Sequence, residues 1–161
     1  MQRWLGVIGL AVVLSGSGAA VASGQDAVAV PLAERARGAE RVVVGRVASI
    51  APMWQTNEFG DRLIVSVMRV TVSETLKGQP QTAVDLEIEG GTIGDVTLNV
   101  SDQASLVPGE RAVFFMRRTV RGSFGPHLRG QGVLKLDRTD RVPGSSLTLE
   151  TIRREVARGA P

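Results

Sequence analysis

No cysteine occurs among the 161 residues, so the fold must be held by burial and hydrogen bonding alone. The apolar surface for that burial comes from short, valine-rich runs. Residues 41–50 (RVVVGRVASI), 63–76 (LIVSVMRVTVSETL), 83–89 (AVDLEIE) and 111–117 (RAVFFMR) carry it. Branched and aromatic side chains of this kind fit a pleated, half-buried surface. No strand–helix–strand alternation separates the runs, which argues against a parallel sheet. The missing cysteine also excludes thiol nucleophiles, iron–sulfur clusters and Cys-ligated zinc.

The first 22 residues read as a secretory signal peptide. Arg3 supplies the positive charge, residues 4–14 (WLGVIGLAVVL) the apolar stretch, and Ala20-Val21-Ala22 the small-residue site. Cleavage is expected between Ala22 and Ser23. The apolar stretch is shorter than the roughly 20 residues of a membrane-spanning helix, and no later segment is apolar for long enough. The expected product is exported, periplasmic or secreted. It carries a linker over 23–30 and one domain over 31–161, a length suited to one core.

Each run has a readable pattern. Gly45 allows a bend or a close approach within the first strand. Residues 51–62, with Pro52, Asn57 and Gly60, read as a loop. In 63–76 the apolar phase shifts from Val65 and Val67 to Val70 and Val72, as a β-bulge would make it. Residues 83–89 alternate, with Val84, Leu86 and Ile88 inward and Asp85, Glu87 and Glu89 outward. Val96, Leu98 and Val100 repeat the alternation after a glycine-rich break. Residues 119–126 read as a turn and 127–137 as the last strand. A short helix is expected over 31–40, with Leu32, Ala33 and Ala36 facing a core. A better-marked helix closes the chain. Thr148 is its N-cap, Leu147 and Ile152 stand at staple spacing, and Leu149, Ile152 and Val156 form a stripe. Gly159 is its stop.

The expected architecture is mainly β: a small antiparallel OB-like barrel of about five or six strands with a helix near each end. The spacing of the strands, and the phrases around Gly45, Leu76-Lys77-Gly78 and Gly109-Glu110, resemble a group of small exported bacterial β-domains of no established activity. More distantly, they are similar to the OB-like barrel of netrin modules and tissue inhibitors of metalloproteinases. The resemblance covers roughly residues 39–136 and implies the fold. It does not imply the inhibitor mechanism, which needs an N-terminal cysteine on zinc and disulfide braces.

No catalytic set is legible. His127 is the only histidine, no G-x-S-x-G elbow occurs, and the carboxylates of 85, 87 and 89 share one solvated strand face. No cofactor or metal site is expected. Nineteen basic residues oppose 16 acidic ones, interspersed rather than in blocks, which argues against nucleic acid as the main partner. OB barrels bind through one face and the loops joining strands 1–2 and 4–5. Here those loops hold Trp54 and Phe59 in the first, and Arg118, Arg121, Phe124 and His127 in or beside the second. Aromatic and arginine side chains anchor binding surfaces. The expected function is a non-enzymatic binding or envelope-assembly domain with a protein partner. The alternative is oligonucleotide or oligosaccharide binding through the same loops. A further possibility is that Trp54 and Phe59 fold back and plug the barrel end.

Overall fold

The computed structural model describes residues 29–57 and 59–159. The signal-peptide reading, with Ala22 and Ser23, and most of the 23–30 linker lie outside the described residues. The chain is mainly β. Strands β1 (Arg41–Thr56), β2 (Arg62–Lys77), β3 (Ala83–Glu89), β4 (Gly91–Ile93), β5 (Val96–Leu98), β6 (Arg111–Arg118), β7 (Phe124–Pro126) and β8 (Val133–Leu136) lie between helices α1 (Leu32–Gly38) and α2 (Leu149–Gly159). Six strands form one sheet in the order β1-β2-β3-β7-β6-β8, and β1 also pairs with β6; β4 and β5 form a separate pair.

The pairings β1–β2–β3–β7–β6–β1 close a circuit of five strands. Strand direction cannot alternate all the way around an odd ring, so one neighbouring pair must run parallel. That pair is β3 with β7, joined at Leu86 and Phe124. The expectation of a wholly antiparallel sheet is corrected there; the main sheet has six strands, and the separate β4–β5 pair brings the total among the described residues to eight.

Both faces of the central strands are buried, which explains the continuous apolar run of β6. Ala112, Phe114 and Met116 enter one cluster with Val43, Val47, Met68, Val70, Leu86 and Val133. Val113 and Phe115 enter a second with Val42, Val44, Ala36, Leu149, Ile152 and Val156. The second cluster is the layer that α1 and α2 cover. The expected apolar stripe of the last helix is thus its buried face. Thr148 Oγ1 accepts the Thr151 amide at 3.2 Å, as a cap does. Gly159 is more than a stop: a Cβ there would lie 2.8 Å from the Ala33 carbonyl oxygen, so it lets α2 approach α1.

Several readings change, among them the turn over 119–126, of which Phe124–Pro126 is strand. Residues 51–56 are strand rather than loop, because β1 runs on through Pro52. Beyond the β6 pairing, which ends at Arg46, β1 has a sheet neighbour only on the β2 side, and an edge tolerates proline. The bulge nearest the expected phase shift lies on β1. Val47 pairs with Val70 and Ser49 with Arg69, so Ala48 is the extra residue. Residues 127–137 are not one strand. Leu128 and Arg129 are left-handed (φ 61° and 54°), a 3-10 turn spans Arg129–Gly132, and only Val133–Leu136 is strand. Val96 also points outward, at 51% exposure.

Gly45 does make a close approach. A Cβ there would collide with Val70 Cγ1 and sit 2.7 Å from the Thr71 carbonyl oxygen. Ile152 is fully buried under the helical layer. Ile152→Ala should cost about 2–5 kcal/mol by the transfer and cavity effects of large-to-small core changes. Thr148→Ala should cost about 1 kcal/mol through the lost cap. Urea unfolding followed by circular dichroism measures both.

Candidate functional site

The six residues singled out from the sequence fall into distinct surroundings. Trp54 and Phe59 belong to the β1–β2 hairpin. The hairpin turn is built by Asn57, whose Oδ1 accepts the amides of Phe59 (3.0 Å) and Asp61 (2.8 Å). That turn presents Phe59 to solvent at 81% exposure. Trp54 lies on the strand below, paired with Ile64, and the Arg62 guanidinium stands 4.4 Å from its ring centre. Met53 and Trp54 are 47% and 38% exposed. The aromatic side chains therefore do not plug the interior.

Arg118 and Phe124 meet on the other side of the circuit. Phe124 packs on the interior cluster, and the guanidinium carbons of Arg41 and Arg118 each lie 4.8 Å from its ring centre. Arg41, at the opposite end of β1 from Trp54, also bonds Gln81. Arg118 donates to the Gly122 carbonyl at 2.7 Å and pairs with Glu40 at 3.8 Å. Arg69 and its carboxylate partner Asp85 (3.4 Å) complete the wall of a shallow, polar pocket around Phe124.

Arg121 links the two loops. It donates to the Thr56 carbonyl at 3.3 Å and pairs with Glu87 at 3.8 Å. The outward carboxylates of β3 thus form no cluster of their own. Asp85 faces Arg69, Glu87 faces Arg121, and Glu89 faces Arg129 at 3.1 Å. Among the described residues no three carboxylate or imidazole groups converge as metal ligands.

His127 stands apart from both loops. Its imidazole packs so tightly on Gly38 that any Cβ there would collide with Nε2. Its amide donates to the Phe115 carbonyl at 2.7 Å. Burial, then the charges of Arg117 and Lys77, push its pKa below the usual histidine value. Nearby, Lys77 Nζ donates to the Ala36 and Ala39 carbonyls, both at 2.8 Å, and so closes the end of α1.

Arg41, Arg62 and Met53 were not among the residues expected here. Arg62 would have been legible as the cross-strand neighbour of Trp54 once β1 is carried past Pro52. The pairing of Arg41 with Phe124 is a contact of two distant segments and leaves no local trace. No protein-family model matches the chain, and no curated protein matches it. Among the described residues no helix is long and apolar enough to cross a membrane.

The His127 environment has a pH consequence. A histidine with a lowered folded-state pKa takes up more protons when unfolded, so stability falls as pH drops through the unfolded value of about 6.5. The loss is complete once pH is below the folded pKa. Between pH 7.5 and 5, the chain should lose more stability than His127→Asn does. Equal slopes of unfolding free energy against pH would contradict that assignment.

Proposed function

We propose that the chain is an exported, non-enzymatic binding domain built on an OB-like barrel, and that it takes a protein partner through the distal β1–β2 hairpin. The closed five-strand circuit supports the barrel reading, since an OB fold is a five-stranded, partly open barrel. The resemblance in the spacing of the strands is consistent with it. The signal-like N-terminus supports export.

One observation carries the binding role: Trp54 and Phe59 are exposed on one hairpin, with Met53 exposed on the opposite face of the same ribbon, while the other large apolar side chains on the strands that close the circuit are mostly buried. Scattered exposed apolar residues need no explanation, but three of them at the tip of one hairpin support an interaction surface there. Arg62 over Trp54 adds the aromatic–arginine pair common at binding hot spots.

The rival reading rests on the pocket around Phe124, where Arg41, Arg69 and Arg118 would face an anionic oligomer. Nearby carboxylates already pair two of these three arginines, which favours the protein partner. An oligonucleotide held there would lose affinity steeply with salt.

Trp54→Ala combined with Phe59→Ala should abolish recovery of the partner from an envelope extract on immobilised protein. Thermal stability should change little, since exposed substitutions usually shift it by about 0.5 kcal/mol or less. Partner recovery undiminished in the double variant would place the interface elsewhere.

A further inference from the structure

The ladder between β1 and β6 ends on an unfavourable pair. Arg46 and Arg111 stand directly opposite each other there. Residues so placed share a face, with Cβ atoms about 4.5–5.5 Å apart, and like charges at that spacing destabilise a sheet. Asp140 neutralises one of the two through an ion pair with Arg111. Arg46 donates to the Gly109 carbonyl, a neutral acceptor, and is otherwise exposed. The sequence thus keeps a charge at a position where folding alone would favour a neutral side chain.

A cavity of about 560 Å³ opens beside this pair. Arg46, Arg111, Lys135 and Arg138 line it, together with the carboxylates of Glu110 and Asp137. Both carboxylates are committed. Glu110 takes Lys135 Nζ at 2.9 Å on one oxygen and the Val107 amide at 2.8 Å on the other. Asp137 Oδ1 accepts the Thr139 and Arg141 amides, at 2.8 and 3.0 Å, and so builds the turn that carries Arg138. Lys135 and Arg111 are therefore matched. Among the described residues no carboxylate forms an ion pair with Arg46 or Arg138.

Two guanidiniums without a carboxylate suit a ligand that carries two negative charges. Guanidinium forks match phosphate oxygens with paired hydrogen bonds. A phosphate monoester has a second pKa of about 6 and is close to a dianion above neutral pH, whereas a sulfate ester carries a single charge. The volume lies within the roughly 300–1,000 Å³ of small-molecule pockets, which leaves room for the group that bears the phosphate.

We propose that this cavity binds a phosphate monoester, held by Arg46 and Arg138 and steadied by Arg111. Such a ligand relieves the repulsion between Arg46 and Arg111, which accounts for the pair. The site shares no residue with the β1–β2 hairpin or with the pocket around Phe124, so either reading can fail without the other.

The test is amide NMR of the ¹⁵N-labelled chain at low ionic strength and about pH 8, where the monoester is a dianion. Methyl phosphate and methyl sulfate, alike in shape and different in charge, are titrated separately. Saturable shifts with methyl phosphate are expected at residues 46, 109–111 and 135–138. Methyl sulfate should bind about tenfold more weakly, which corresponds to about 1.4 kcal/mol. Arg46→Gln should weaken methyl phosphate about tenfold. Without ligand it should melt no lower than the parent chain, because the like-charge pair is gone. Arg69→Gln, in the pocket around Phe124, should leave binding unchanged. The proposal is overturned by absence of saturable shifts at these residues, by equal affinity for the two esters, or by unweakened binding to Arg46→Gln. Equal weakening in Arg69→Gln would reduce the effect to net charge and overturn it as well. So would an Arg46→Gln chain that melts below the parent, since the unfavourable pair would then be absent.

Discussion

Strand β1 is bonded along both edges over residues 42–46, to β6 on one side and β2 on the other. That double engagement turns a row of strands into a circuit. It also gives the circuit an inside and an outside, and both must be apolar on β1 and β6. Val43 and Val47 go in, while Val42 and Val44 go out to the helices. Such a strand has no polar face, and neither has its neighbour. The circuit can close only if β1 turns sharply, and three register shifts along the β1–β2 pair supply the turning. Bulges raise local twist and bend the strand, and Gly45 removes the one Cβ that would obstruct the approach of Val70 and Thr71.

Ring parity follows from the same closure. With five members, alternating direction must fail at one joint, and it fails at the weakest one, the single β3–β7 bridge. The strands that alternate cleanly or run apolar without interruption, such as β3 and β6, were legible because their burial is set by local pattern. The parallel joint was not legible, because parity is a property of the whole ring. Pro52 misled for a related reason. Its effect depends on whether β1 is paired on both sides at that point, and pairing is not written in the run itself. The last strand was over-extended because two successive left-handed residues, Leu128 and Arg129, are not glycine. Their conformation is imposed from outside. The Gly130 amide is held by the Asp102 carbonyl at 2.8 Å, and the Arg129 side chain is held between Asp102 and Glu89.

The arginines show how far charge alone underdetermines function. A chain so rich in arginine resembles a polyanion binder until the partners are located. Arg35 is buried and spent on the Val30 and Gln131 carbonyls, at 2.7 and 2.8 Å, and burial lowers its pKa. Arg153 is fixed on Glu74 at 2.6 Å, joining α2 to β2. Arg69, Arg121 and Arg129 each take a carboxylate of β3. Apart from the half-buried Glu87, the partners are solvent-exposed, and such pairs add little stability individually. Their consequence is electrostatic: they leave no continuous basic track on the β3 face, although the net charge is positive.

The distal half of the β1–β2 ribbon is where structure and proposed binding meet, and its exposure needs a reason to be safe. A long strand with a free edge invites pairing with other chains. Here Pro52 removes a donor from the run, and the β4–β5 hairpin packs across the ribbon at Gly91. Arg62 covers part of the Trp54 ring. The apolar groups left exposed are Met53 on one face, the flank of Trp54 on the other, and Phe59 in the Asn57 turn. These interruptions blunt the edge while sparing a small apolar tip, an arrangement that favours recognition by side-chain contact over strand addition. Under the proposed binding role, recognition at this tip would rest on the Phe59 and Trp54 side chains, with Pro52 breaking the run of backbone donors that strand addition would use.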